Sequence, residues 1–219
     1  MHAEDQHTDI PTLDFAETRV LGCLIEKERS TPDYYPMSIN ALTQACNQKT
    51  NREPVAEFGE GEVEDTLAAL QRKRLVGTAS GAGSRVLKYR HALAEVLGLS
   101  DADLAVLAVL MLRGPQTVGE IRGRTGRMHE FDDLGEVEQV LHALATQESP
   151  FVTELERQPG QKEARYAHLL SGELEVETTV MTGSVSGSRL DQLEDEVLQL
   201  REELETLRTA FEAFRKQFE

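Results

Sequence analysis

Gly61-Glu62-Val63-Glu64-Asp65-Thr66-Leu67-Ala68-Ala69-Leu70 recurs as Gly135-Glu136-Val137-Glu138-Gln139-Val140-Leu141-His142-Ala143-Leu144. Seven of the ten positions are identical, in a G-E-V-E-x-x-L-x-A-L pattern that suits a helix, so the chain contains one module twice. The surroundings repeat as well. Lys88-Tyr89-Arg90-His91 is echoed by Arg165-Tyr166-Ala167-His168, and Val20-Leu21 by Val106-Leu107.

Period and punctuation show what each copy builds. Asp14 can cap a first helix carrying Phe15, Val20, Leu21, Leu24 and Ile25 on one stripe, which stops at Ser30-Thr31-Pro32. Ser38 can cap a second helix through Ile39, Leu42 and Cys46, and the polar run Asn47 to Pro54 ends it. A third helix spans Glu60 to Arg74, with acids in its first turns and Arg72, Lys73 and Arg74 in its last, as the helix dipole favours. Leu75-Val76, a tip from Thr78 to Ser84 and the run Arg85 to Tyr89 then read as a hairpin. The second copy predicts helices near Asp101 to Leu112, Thr117 to Thr125 and Leu134 to Thr146, and a hairpin from Phe151 to Leu169 with Gln158-Pro159-Gly160 at its tip.

Three helices and a hairpin make a winged helix. The expected class is therefore α+β, mainly α with small β-hairpin wings: two tandem winged-helix domains and a C-terminal coiled-coil helix. The boundaries are a disordered 1–11, modules at 12–98 and 99–170, a Ser/Thr/Gly/Glu-rich linker at 171–188 and the coiled-coil segment at 189–219.

That last segment carries Leu190, Leu193, Val197, Leu200, Leu204, Leu207, Phe211, Phe214 and Phe218, alternating three and four apart. Parallel pairing of two such helices sets Arg189 against Glu194, Glu196 against Arg201 and Glu203 against Arg208, all attractive, whereas antiparallel pairing opposes Glu196 to Glu203. A parallel homodimer is the preferred expectation. The alternative is that the amphipathic helix folds back on its own modules.

The run Glu17-Thr18-Arg19-Val20-Leu21-Gly22-Cys23-Leu24-Ile25-Glu26-Lys27-Glu28, followed by Thr31-Pro32-Asp33-Tyr34-Tyr35-Pro36, Asn40-Ala41-Leu42 and Ala45-Cys46-Asn47-Gln48-Lys49-Thr50-Asn51-Arg52, resembles the YceH-like family of uncharacterised bacterial proteins. Arg124-Thr125-Gly126-Arg127-Met128 with Phe131 resembles a second stretch of that family. The resemblance covers roughly residues 12 to 170. It implies a tandem winged-helix fold and brings no activity, cofactor or catalytic residue.

Composition narrows the function classes. No basic leader, long apolar run, phosphate-cradling G-x-x-x-x-G-K-[ST], G-x-S-x-G or H-E-x-x-H occurs, so a cytoplasmic, non-membrane protein without catalysis, metal or cofactor is expected. Cys23 and Cys46 lack metal spacing and read as reduced core thiols. Net charge is −16, yet Ile10 to Leu93 holds eleven acids and eleven bases, so this first module alone opposes a polyanion least.

Basic residues just before each third helix are the candidate nucleic-acid contacts: Lys49, Asn51 and Arg52 in the first copy, and Arg122, Arg124 and Arg127 in the second. The first wing adds Arg85 and Lys88, with Arg90 beside them. Against this, the third helices begin with Glu60, Glu62, Glu64 and Asp65, and with Glu136 and Glu138. The basic loops can instead pair with neighbouring acids such as Glu53, Glu57, Glu130, Asp132 and Asp133. Two functions stay open: a dimeric DNA-binding regulator of duplex DNA, or an acidic interaction or scaffold protein that binds a protein partner and no DNA.

Overall fold

Asp14 does start the first helix. Its side chain accepts from the Glu17 backbone N–H at 2.8 Å, and the Glu17 carboxylate accepts from the Asp14 N–H at 2.9 Å, a reciprocal cap that opens α1 (Phe15–Ser30). The computed structural model describes residues 11–79, 86–157 and 163–172. Arg85, residues 80–84 of the first tip, the Gln158-Pro159-Gly160 tip and the heptad stripe from Leu190 to Phe218 therefore lie outside the described residues.

After a 3-10 turn at Pro32–Tyr34, Ser38 caps α2 (Ile39–Cys46), and α3 (Glu60–Arg72) follows. The third helix ends two residues earlier than its periodicity suggests. Arg74 takes φ +62°, its N–H reaches the Gln71 carbonyl at 2.9 Å, and the Leu75 N–H reaches the Leu70 carbonyl at 3.0 Å. That left-handed closure turns the chain into β1 (Val76–Ala79), which pairs antiparallel with β2 (Lys88–His91) from Val76↔His91 to Ala79↔Lys88. A short α4 (Leu93–Leu97), which no periodic signal announced, ends at Gly98 with φ +66° and leads to the second half.

There Ser100, Thr117 and Asp133 cap α5 (Asp101–Arg113), α6 (Val118–Thr125) and α7 (Leu134–Ala145). β3 (Val152–Leu155) pairs with β4 (Arg165–His168) from Val152↔His168 to Leu155↔Arg165. The repeat reaches details that sequence identity does not show. Met37 bridges Tyr89 and Gln116 bridges Tyr166, each through two backbone hydrogen bonds of 2.8 and 3.0 Å, and each bridge sits one residue before the next helix cap. Among the described residues the fold is thus mixed α and β, with seven α-helices and two small antiparallel hairpins. None of the described helices is long and apolar enough to cross a membrane.

The two halves belong to one compact unit, and a second unit at 175–219 lies outside the described residues. α5 explains why the halves join. Every residue from Leu104 to Leu112 is buried, so this helix has apolar surface all round and must be covered on several sides. α6, α7 and β4 cover part of it, and α1 covers another side. Arg29 at the end of α1 meets Asp101 at the start of α5 at 2.6 Å, while Gly22 lies against Met111 and Leu112, so the two helices run antiparallel.

The approach is close. A Cβ on Gly22 would stand 2.9 Å from two Leu112 side-chain carbons. We expect Gly22→Ala to destabilise the fold by about 1–3 kcal/mol through overpacking, despite alanine's better helix propensity. Urea unfolding would measure it, and an unchanged midpoint would mean that the two helices separate without cost.

Cys23 and Cys46 are free and buried in the same core. The paired histidines at the strand ends have unlike surroundings. His91 Nε2 lies 2.8 Å from the Glu28 carboxylate, whereas burial pushes His168 down to about 4; the buried Nδ1 of each has no hydrogen-bond partner among the described residues.

Candidate anion-binding groove

The segment between α2 and α3 is held by its own side chains. Asn47 Nδ2 donates to the Phe58 carbonyl at 2.9 Å and Asn47 Oδ1 accepts from the Phe58 N–H at 2.7 Å, cinching the loop at its base. Inside the loop Arg52 turns inward. Its Nε donates to the Ala45 carbonyl at 3.1 Å, its two terminal nitrogens reach the Glu26 carboxylate at 3.2 and 2.6 Å, and it also holds Gln48 and the Asn51 carbonyl.

This placement corrects the expectation that Arg52 meets a phosphate, because a buried guanidinium with every nitrogen engaged has no donor to spare. It is a positioning residue. By gripping the Asn51 carbonyl it stabilises Asn51 at φ +62°, a left-handed conformation asparagine tolerates better than most residues, and so sets the path of the loop that presents Lys49. Its acidic partner is also not one of the neighbouring loop acids. Glu26 comes from α1, and although burial alone would raise its carboxyl, the Arg52 hydrogen bonds and charge, with Lys27, hold it below the usual carboxylate range.

In the second half the three candidate arginines separate. Arg122 donates to the Phe131 carbonyl at 3.3 Å and to the Asp132 carbonyl at 2.7 Å, tying α6 to the turn before α7. Arg124 has one loose contact, to Glu120 at 3.6 Å. Arg127, like Lys49, makes no hydrogen bond or ion pair among the described residues and is exposed. In the first hairpin, Lys88 sits on β2 and Arg90 pairs with Glu95 at 2.9 Å; neither lines the groove described next.

The corresponding loops of the two halves meet across the α1–α5 seam. Two adjoining recesses of about 390 and 320 Å³ share Glu26, Asn51, Arg124, Arg127 and Met128 in their walls. Lys27 and Lys49 belong to the larger recess and Arg113 to the smaller. Five cations thus surround one carboxylate, Glu26, which Arg52 already neutralises from behind. The opposite charge collects on the third helices, where Glu60, Glu62, Glu64 and Asp65 are exposed at the start of α3, and Glu138 is exposed in α7. A concave cationic surface of this kind can hold phosphate or carboxylate groups through charge-assisted hydrogen bonds.

Sequence reasoning missed Lys27, Arg113 and Glu26. A base in the last turn of a helix has an ordinary reading as a complement to the dipole, and both Lys27 in α1 and Arg113 in α5 satisfy it. Only the packing of α1 on α5 gives them a shared site.

The region that builds this groove is the region shared with known proteins. The profile of the family described as "Protein of unknown function, DUF480" matches residues 13–161, which include every groove residue named above. A UPF0502 protein of Pelobacter propionicus is 50% identical over 218 residues, covering 94% of this chain and 98% of its own length. A UPF0502 protein of Geobacter sulfurreducens is 51% identical over 216 residues, with the same coverage of 94% and 98%. One from Serratia proteamaculans is 48% identical over 199 residues, covering 87% of this chain and 93% of its own. With its seven helices, its first hairpin and its groove all inside the matched span, the chain belongs to the DUF480 (UPF0502) family of uncharacterised bacterial proteins.

Proposed function

We propose that the chain is a dimeric DNA-binding protein of the cytoplasm, acting by binding and not by catalysis, in which two winged-helix modules jointly grip the phosphates of duplex DNA. The observation that carries this reading is the convergence of Lys27, Lys49, Arg113, Arg124 and Arg127 from both halves on one groove, in a chain whose net charge is −16. The order helix, helix, helix, hairpin in each half supports the winged-helix assignment, as does the extra bridge that Met37 and Gln116 add to each hairpin. The YceH-like resemblance points the same way.

The acidic starts of α3 and α7 oppose insertion of either helix into a groove of DNA, since like charges would face the phosphates. Binding should therefore be largely electrostatic and tolerant of base sequence. Anisotropy of two labelled duplexes of unrelated sequence, titrated at rising salt, tests it. The expected result is similar affinity for both and a steep loss with salt. Absence of binding at low salt would remove the proposal.

The second reading, a scaffold protein that binds a basic protein partner, is favoured by the exposed Glu60, Glu62, Glu64 and Asp65. It would take precedence if duplex binding failed.

Dimerisation is assigned to the heptad stripe from Leu190 to Phe218. A chain ending at residue 189 is expected to sediment as a folded monomer and the full chain as a dimer, because the 171–188 linker should uncouple the stripe from the cores. If the full chain is itself monomeric, pairing between chains is wrong.

A further inference from the structure

Cys23 and Cys46 are not isolated core thiols. Cys23 lies in the middle of α1 and Cys46 closes α2, both are buried, and their side chains hydrogen-bond to each other. Two guanidiniums stand beside them. Arg19, one helical turn before Cys23 on the same face of α1, is fully buried and donates to the Cys46 carbonyl at 3.1 Å and to the Pro54 carbonyl at 2.6 Å. Its buried Nε has no hydrogen-bond partner among the described residues. Arg52, also buried, donates to the carbonyl of Ala45, the residue before Cys46, at 3.1 Å.

A thiol that only fills space gains nothing from a nearby cation, whereas a thiolate does. Burial alone would raise Cys23, and Glu26 adds to that, but the hydrogen bond from Cys46 and the charges of Arg52 and Arg19 bring it below its ordinary value. Cys46 is pushed up by the hydrogen bond it gives to Cys23 and by burial. The pair therefore loses its first proton from Cys23, and an ion at the site must displace the second. Among the described residues no group of three or more His, Cys, Asp or Glu side chains is placed to hold a metal. That argues against zinc, which takes four ligands in closed sites, and suits a soft ion that two thiolates satisfy. Charge selects its valence. Two thiolates on a monovalent ion carry one net negative charge, which Arg19 and Arg52 favour, although Glu53 and Glu26 take up part of their field.

We infer that Cys23 and Cys46 form a two-coordinate site for copper(I), bridging α1 and α2. Binding replaces the two thiol protons, which pass to water, with the ion. No electron moves, and the complex keeps one negative charge beside Arg19. Burial favours such a site, because it keeps out the water that would compete for the ion. Position couples the site to the groove. Cys46 immediately precedes Asn47, which cinches the loop that presents Lys49, and Arg19 grips that loop through the Cys46 and Pro54 carbonyls. Drawing both sulfurs onto one ion shifts the base of this loop and so alters the groove. That consequence rests on the DNA-binding reading, while the site itself does not.

Titration of the reduced full chain with copper(I) under argon, against bathocuproine disulfonate as competing chelator, tests the site. One ion per chain is expected, held more tightly as pH rises because protons leave on binding, and X-ray absorption at the copper edge should read two sulfur neighbours and nothing else. Cys23→Ser and Cys46→Ser should each weaken binding more than about 100-fold, beyond the roughly 10–100-fold loss typical of residues behind the ligands. Cys23→Ala and Cys46→Ala, which bury no hydroxyl, replace a serine variant that fails to fold, and the absorption spectrum of the wild type needs no variant at all.

Copper held equally well by the cysteine variants would belong to methionine or histidine elsewhere and would overturn the site. Nitrogen or oxygen neighbours in the wild-type spectrum would do the same, as would zinc(II) binding as tightly as copper(I). Duplex anisotropy with and without one equivalent of copper(I) reads the coupling, with an affinity change of about fivefold or more expected; an unchanged affinity would overturn the coupling alone. Copper binding through both sulfurs in a chain that binds no duplex would keep the site while the DNA-binding reading falls, and duplex binding without copper binding would do the opposite.

Discussion

Replacing Arg52 with alanine is expected to lower the unfolding free energy by about 3 kcal/mol, among the largest effects of any single exchange in the chain. Removing one member of a buried pair commonly costs about 3–5 kcal/mol, and the lower end applies because Glu26 keeps Lys27 at 3.2 Å and some contact with water. The variant also frees the Ala45 carbonyl at the end of α2 and the Asn51 carbonyl in the loop.

The dependence on pH has a defined sign. Glu26 is held below its ordinary value in the folded protein, so its pairing stabilises the fold above the carboxylate range and is lost as pH falls through the folded value. Wild type and variant should therefore differ most near neutrality and converge in acid. Denaturant titrations at several pH values would show it, and a difference that stayed constant into acid would mean that Glu26 is not the group left unpaired.

Reversing Lys49 and Arg127 together, each to glutamate, is expected to reduce duplex affinity about 100-fold at low salt. Each exchange removes a charge-assisted contact, equivalent to about tenfold or more, and the salt dependence should become shallower by about two ions released. Lys88→Glu and Arg122→Glu serve as controls. Lys88 lies outside the groove, and Arg122 is tied to the Phe131 and Asp132 carbonyls and lines neither recess, so neither should approach the double reversal. Equal losses from all of these exchanges would mean that the protein responds to total charge and not to this groove.

The local elements were legible because their causes are local. Asp14, Ser38 and Thr117 cap helices within three residues of themselves, and the apolar stripes of α1 and α3 report which face is buried. α4 was not legible, since five residues are too few to show a helical period. Arg52 was misread for a related reason: sequence shows a base in a polar loop, while its acidic partner lies twenty-six positions back on α1. The repeat made Lys49 and Arg127 candidates by position, but nothing in spacing could show that their loops border one groove.

By itself the sequence determined the duplicated module, the order of helices and hairpins in each copy, and the family, because capping, periodicity and identity depend on residues near one another in the chain. Tertiary structure decided the rest. α5 is apolar on all sides and cannot be covered by its own module, so α1 must pack against it, with Gly22 allowing the close approach. That contact turned two end-of-helix bases, Lys27 and Arg113, into members of a shared cationic groove, because charge acts through space and not along the chain.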